Sequence, residues 1–258
     1  MKPFIFSTTR SVQFGAGALD ALGPVARERI GTRVMLVTDP GMIRTGIVDR
    51  AVAGLAASGV EAVLFADVEA DPPEPVIHAA AAKARGAAVA GVIGLGGGSS
   101  LDVAKLVAVL ARGEERLDDI YGIGKVKGGR LPLVLIPTTA GTGSEVTPIS
   151  IVTTATSEKM GVVSPVLLPD IAILDPALTL GLPPHVTAAT GIDAMVHAIE
   201  AYASLNANSN PVSRLLAREA LALMGRSLLA AVRDGGDIEA RSEMLLGSML
   251  AGQAFANS

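Results

Sequence analysis

Val92-Ile93-Gly94-Leu95-Gly96-Gly97-Gly98-Ser99-Ser100 decides how this chain folds. An apolar run enters three adjacent glycines and leaves through two serines. Residues 101–110 then carry apolar side chains at helical spacing. A continuous apolar run reads as a strand covered on both faces, as in a parallel sheet. The glycines let the backbone turn tightly between strand and helix.

The same alternation recurs on either side. Residues 33–38 form another apolar run, closed by the turn signal Asp39-Pro40-Gly41. Residues 45–58 place Ile47, Val48, Ala51, Val52 and Leu55 on one helical face, with Gly59 positioned to end the helix. Residues 62–65 and 133–136 read as strands and residues 75–85 as a helix. Upstream, residues 4–7 and 11–14 read as short strands before a helix over 18–30. Strands alternating with helices specify an α/β domain with a parallel sheet, taken as residues 1–180. After Gly181-Leu182-Pro183-Pro184 the strand pattern stops, and residues 186–203, 211–232 and 238–256 all read as helices. This all-helical domain, residues 181–258, is expected to be incomplete, because its last helix runs almost to Ser258.

Half of the 258 residues are apolar but only 3% are aromatic, so the core is expected to pack through small aliphatic contacts. A net charge of −4 without a run of lysine or arginine excludes the field of a nucleic-acid binder. The absence of cysteine excludes a disulfide scaffold and a thiolate zinc site. No apolar run reaches the roughly 18 residues of a membrane span, and the first ten residues lack the apolar core of a signal peptide. A cytoplasmic protein is the expectation.

The glycine loop carries the first functional reading. A helix starting at such a loop offers free N–H groups and the positive end of its dipole, which suit a pyrophosphate. Ser99 or Ser100 is expected to cap it. Gly94 and Gly96 match the first half of the Gly-x-Gly-x-x-Gly fingerprint, but Ser99 stands where the third glycine belongs. Asp39 ends a strand on the same sheet edge. There it is either a plain turn aspartate or an acceptor for the ribose hydroxyls of an adenosine, favouring NAD over NADP.

Pro137-Thr138-Thr139-Ala140-Gly141-Thr142-Gly143-Ser144-Glu145 leaves a third buried strand. Its hydroxyls and mobile glycine backbone suit a diphosphate or a nicotinamide amide, or else satisfy the loop's own backbone. Farther on, Asp193 and His197 lie four residues apart, so on a helix they share one face and can grip one ion. Two ligands make half a metal shell. His78 and His185, the other histidines, read as surface residues without a role.

Three segments together resemble the iron-containing (group III) alcohol dehydrogenases: residues 96–105, residues 137–145, and Gly191-Ile192-Asp193-Ala194-Met195-Val196-His197-Ala198-Ile199-Glu200-Ala201-Tyr202. The resemblance implies an N-terminal NAD-binding α/β domain and a C-terminal helical metal and substrate domain, with the active site between them. It implies hydride transfer between NAD(H) and a small alcohol, aldehyde or ketone at a divalent metal, Fe2+ first and Zn2+ as the substitute. It implies a homo-oligomer, dimer or larger. By the same resemblance Asp39 sits by the adenosine ribose, and Gly97, Gly98 and Ser99 hold the pyrophosphate. Thr138, Thr139 and Thr142 line the cofactor cleft, and Lys159 approaches the nicotinamide ribose. Asp71 and Leu178 are further cofactor contacts. Asp193 and His197 are metal ligands and act in catalysis through the metal. The family's other two ligands, both histidines, have no match here. Competing readings are a maleylacetate reductase, a dehydroquinate-synthase-like cyclase, and a nucleotide-binding fragment without activity.

Overall fold

The structure, a computed structural model, describes residues 3–154 and 156–258. Six strands form one all-parallel sheet: β1 (Ser11–Phe14), β2 (Arg33–Val37), β3 (Glu61–Phe65), β4 (Gly91–Gly96), β6 (Leu133–Pro137) and β9 (Ile171–Leu174). Their order is β1-β9-β6-β4-β2-β3. The connecting helices are α1 (Leu22–Arg29), α2 (Pro40–Ile43), α3 (Ile47–Ala57), α4 (Glu74–Gly86), α5 (Gly98–Arg112) and α6 (Leu117–Ile120).

The period-2 alternation of side chains builds a core on each face of the sheet. Val34 and Leu36 of β2 join Leu22 of α1 and Leu55 of α3 on one face. Met35 and Val37 join Ile77 of α4 and Leu101 of α5 on the other. Adjacent β2 and β4 therefore send their following helices to opposite faces. Such a reversal opens a crevice at the strands' C-terminal ends, where α/β sheets bind ligands. Asp39 follows β2 and the triple glycine follows β4, so the two loops flank that crevice.

A second sheet, not anticipated from the sequence, has the order β5-β8-β7, with β5 (Gly122–Ile123), β7 (Ile149–Thr153) and β8 (Lys159–Val163). It places Ile149, Ile151 and Lys159 beside the crevice.

Three helices follow β9: α7 (Pro184–Ala203), α8 (Pro211–Arg233) and α9 (Ile238–Ala256). Their contacts use small residues. Thr187, Gly191, Ala194, Ala198 and Ala201 form the buried stripe of α7, and a Cβ on Gly191 would lie 2.5 Å from Leu228 and 2.8 Å from Met244. Met224, Met244 and Met249 fill the same core. That core also takes in Ala172 and Leu174 of β9 with Ala140 and Val146, so the helices pack directly onto the sheet's face at its β1–β9 end. Among the described residues no helix is long and apolar enough to cross a membrane.

Two sequence expectations change. Residues 4–7 form no strand. The backbone of Ile5 is bonded through both its N–H and its carbonyl to the Asn208 side chain, and that of Ser7 likewise to Asn257. Side-chain amides there supply what a neighbouring strand would have supplied. The helix expected over 18–30 splits into a 3-10 turn at Ala18–Ala21 and α1.

Candidate active site

Helix α5 begins at Gly98 with Gly97 as its N-cap, and no side chain caps it. The expected serine cap is absent because the helix starts earlier than the sequence suggested. Ser99 and Ser100 lie inside its first turn. Ser100 donates instead to Asp39 Oδ2 (3.3 Å). The opening turn thus presents backbone N–H groups without a competing side chain, at the positive end of a 15-residue helix.

Gly96 has to be glycine on two counts. Its φ is +149°, and a Cβ would meet Ser100 Oγ at 2.7 Å and Asp39 Oδ2 at 3.1 Å. A Cβ on Gly98 would strike the Thr142 methyl at 2.8 Å. The second loop is therefore pressed onto the first.

Asp39 acts first as a turn aspartate. Oδ1 accepts the N–H groups of Gly41 (2.8 Å) and Met42 (3.1 Å), capping α2. Oδ2 keeps spare acceptor capacity beyond the Ser100 bond, and Asp39 lines a cavity of about 540 Å³. Arg44 and Glu69, which sequence reasoning passed over, line the same space beside Gly97, Gly98 and Ser99.

A second cavity, about 560 Å³, lies on the other side of the glycine loop. Gly98 and Ser99 line both. The second cavity gathers Asp71, Thr142, Lys159, Asp193 and His197 from four separate segments. Lys159 and Asp71 pair at 2.7 Å, both well exposed, a contact worth less than about 1 kcal/mol. Asp71 holds a left-handed backbone (φ 51°), fixed from behind by Thr153 N–H donating to Pro72 O (3.0 Å).

Asp193 Oδ1 and His197 Nε2 are 3.8 Å apart on the cavity-facing flank of α7. The His197 ring is tilted against Phe255 of α9, with centroids 5.0 Å apart. One carboxylate oxygen and one imidazole nitrogen fit two positions in the shell of a borderline divalent cation such as Fe2+ or Zn2+. Among the described residues no group of three or more metal-ligating side chains converges. His78 and His185 are exposed and line neither cavity.

Other anticipated residues lie apart from the open cavities. Thr138 is buried, with its hydroxyl toward Met42 sulfur (3.5 Å) and its N–H on Gly96 O (3.0 Å). Thr139 flanks Gly97. Leu178 belongs to the α1/α3-side core and lines neither cavity.

The loop glycines, read above as mobile, serve close packing. A Cβ on Gly141 would meet Thr190 of α7 at 2.8 Å, and one on Gly143 would meet Gly252 Cα of α9 at 2.7 Å. In and behind the wall of the second cavity lies a cluster of charged side chains, of which Lys105 and Glu145 are buried. Asp102 Oδ1 accepts from Ser144 Oγ (2.6 Å) and Oδ2 from Ile151 N–H (2.9 Å). Burial lowers the pKa of Lys105 and pushes the Glu145 carboxyl up to about 7. Asp102 and Phe255 were not singled out from the sequence. Asp102 stands within the first resembling segment, whereas Phe255 gives only an apolar helical position.

Comparison with known proteins places the chain in a family. The profile described as "Iron-containing alcohol dehydrogenase" matches residues 9–176, and that of the "Fe-containing alcohol dehydrogenase family, C-terminal" matches residues 187–258. The long-chain-alcohol dehydrogenase 1 of Geobacillus thermodenitrificans is 45% identical over 247 residues, covering 95% of this chain and 62% of that protein. The crystal structure of a 1,3-propanediol oxidoreductase superposes with a TM-score of 0.96 at 36% identity, over 99% of this chain and 67% of that one. The sulfoacetaldehyde reductase of Bifidobacterium kashiwanohense, crystallised in complex with NAD+, gives 0.92 at 31% identity, over 100% of this chain and 68% of that one. The sequence thus spans about two thirds of the length of these relatives, and over that span it belongs to the iron-containing alcohol dehydrogenase family.

Proposed function

We propose that the chain binds NAD(H) across its two cavities and serves hydride transfer between that cofactor and a small alcohol, aldehyde or ketone. The observation that carries this reading is the sharing of Gly98 and Ser99 by both cavities at the start of α5. A dinucleotide has a diphosphate in its middle and a nucleoside at each end, which is the shape of this space. The open N–H groups and dipole of α5 would hold the diphosphate. Asp39 would meet the adenosine ribose through Oδ2. Asp39 and Glu69 outnumber Arg44 around that end, which disfavours an added 2′-phosphate and so selects NAD over NADP. The nicotinamide would enter the cavity with Asp71, Lys159, Asp193 and His197.

Asp193 and His197 would hold a divalent cation, iron first. That cation supplies Lewis-acid polarisation of a substrate oxygen. The protein's own part is to set distance and exclude water: Phe255 covers the His197 ring, and Ile149 and Ile151 wall the cavity with apolar surface. Protein positioning and electrostatics, with the hydride carried by the nicotinamide, are the ordinary division of labour in such enzymes. A homo-oligomer belongs to the same proposal and is checked by light scattering.

The test is NADH formation from NAD+ and a series of small alcohols, with Fe2+ or Zn2+ supplied and then removed by a chelator. Metal-dependent NADH formation is expected. Reduction of maleylacetate that survives chelation would favour the metal-independent alternative, and no turnover in any arm would leave only nucleotide binding.

A further inference from the structure

Lys105 is completely buried on α5 and touches neither cavity. Its ammonium donates to Ser144 Oγ (2.8 Å), to Ile149 O (2.6 Å) and to Thr147 Oγ1 (3.4 Å), and lies 3.6 Å from Asp102 Oδ1. All four of these residues line the cavity that holds Asp193 and His197. None of them lines the cavity that holds Asp39. We propose that Lys105 is a positioning residue: from behind the wall it fixes Asp102, Ser144, Thr147 and Ile149 in the shape that receives the nicotinamide end of the dinucleotide. This rests on the dinucleotide reading given above.

The bonds run in one consistent direction. Ser144 accepts from Lys105 and passes its own proton donation to Asp102 Oδ1. Asp102 in turn takes the N–H of Ile151 on β7, and its backbone carbonyl takes the Ser150 hydroxyl. One cation thereby clamps segment 144–151 to α5. A buried ammonium is costly unless its donors are used, and removing it leaves partly buried acceptors without the donor that holds them in place. The wall would then relax where the nicotinamide enters, while the α5 N-terminus and the Asp39 side would keep their own contacts.

The test compares NAD+ with ADP-ribose, which lacks the nicotinamide, by calorimetry on the chain and on Lys105→Met. The chain is expected to bind NAD+ more tightly than ADP-ribose. In Lys105→Met, NAD+ is expected to weaken about tenfold while ADP-ribose stays within about twofold. Equal weakening of both ligands, or of neither, overturns the proposal. If the unsubstituted chain binds neither ligand, the dinucleotide reading fails and takes this inference with it. If it binds both equally, only this inference fails. Should Lys105→Met not fold, Lys105→Gln, which keeps an amide donor without the charge, carries the same comparison. Failure of both to fold overturns the proposal in favour of a lysine needed only for stability.

Discussion

Asp193 and His197 are one turn apart on α7, and the small residues on the adjoining stripe of that helix set their direction. Ala194 and Ala198 face the core, so the residue before each is rotated toward the cavity. With only two donors contributed here, loss of either should be felt strongly. His197→Ala is expected to weaken Zn2+ binding at least about tenfold, read by competition with a chromogenic chelator. Unchanged affinity would remove His197 from the metal. The glycine loop gives a second test at this scale. Gly98→Ala places a Cβ 2.8 Å from the Thr142 methyl, and NAD+ affinity is expected to drop by about an order of magnitude. Adding Thr142→Ser removes that methyl and should restore part of the loss. Calorimetry showing no loss in the single variant would mean that the diphosphate does not approach this loop.

At the level of elements, periodicity makes β2, β3, β4, β6 and the long helices readable from the sequence, because each buries a face of fixed spacing. The helical stretch 238–256 matches α9 end for end. What was illegible depends on distant partners. Strand β5 is two residues long, and the other strands of its sheet, β7 and β8, carry partly exposed residues whose pairing shows only in the folded chain. Residues 4–7 have strand-like side chains, yet their backbone is satisfied by asparagines more than 200 positions away. Site residues followed the same division. Asp39, Gly98, Asp193 and His197 were legible from loop and helix position, whereas Asp102 and Phe255 acquire meaning only from what packs beside them. Gly141 and Gly143 could be read as glycines but not as contact points for α7 and α9. The last point is testable. Gly143 has φ +60° and no room for a Cβ, so Gly143→Ala is expected to cost about 3 kcal/mol in urea unfolding. Gly225, with open space around it on α8, should instead gain up to about 1 kcal/mol on conversion to alanine.

Across the whole molecule, loop 138–147 joins the sheet, α5 and the last helices, and Glu145 lies buried at that junction. Lys105 is the charge that acts on it most directly. With its carboxyl pushed from the usual 4.5 up to about 7 by burial, Glu145 keeps its proton in the folded state where the unfolded chain has already released it. Folded chains therefore bind more protons across that interval, and stability falls as pH rises from about 4.5 to about 7. Glu145→Gln should flatten the slope, as measured by urea unfolding at pH values on either side of the interval. An unchanged slope would assign the effect to other groups. The same junction walls the cavity that holds Asp193 and His197, and the proposed function requires one ligand to span both cavities. A crystal structure of the chain with NAD+ measures this most directly. Diphosphate density against the backbone amides at the start of α5, adenosine beside Asp39 and nicotinamide in the space shared by Asp193 and His197 is the expected result. Density confined to one cavity, or a dinucleotide bound away from Gly98 and Ser99, would contradict it.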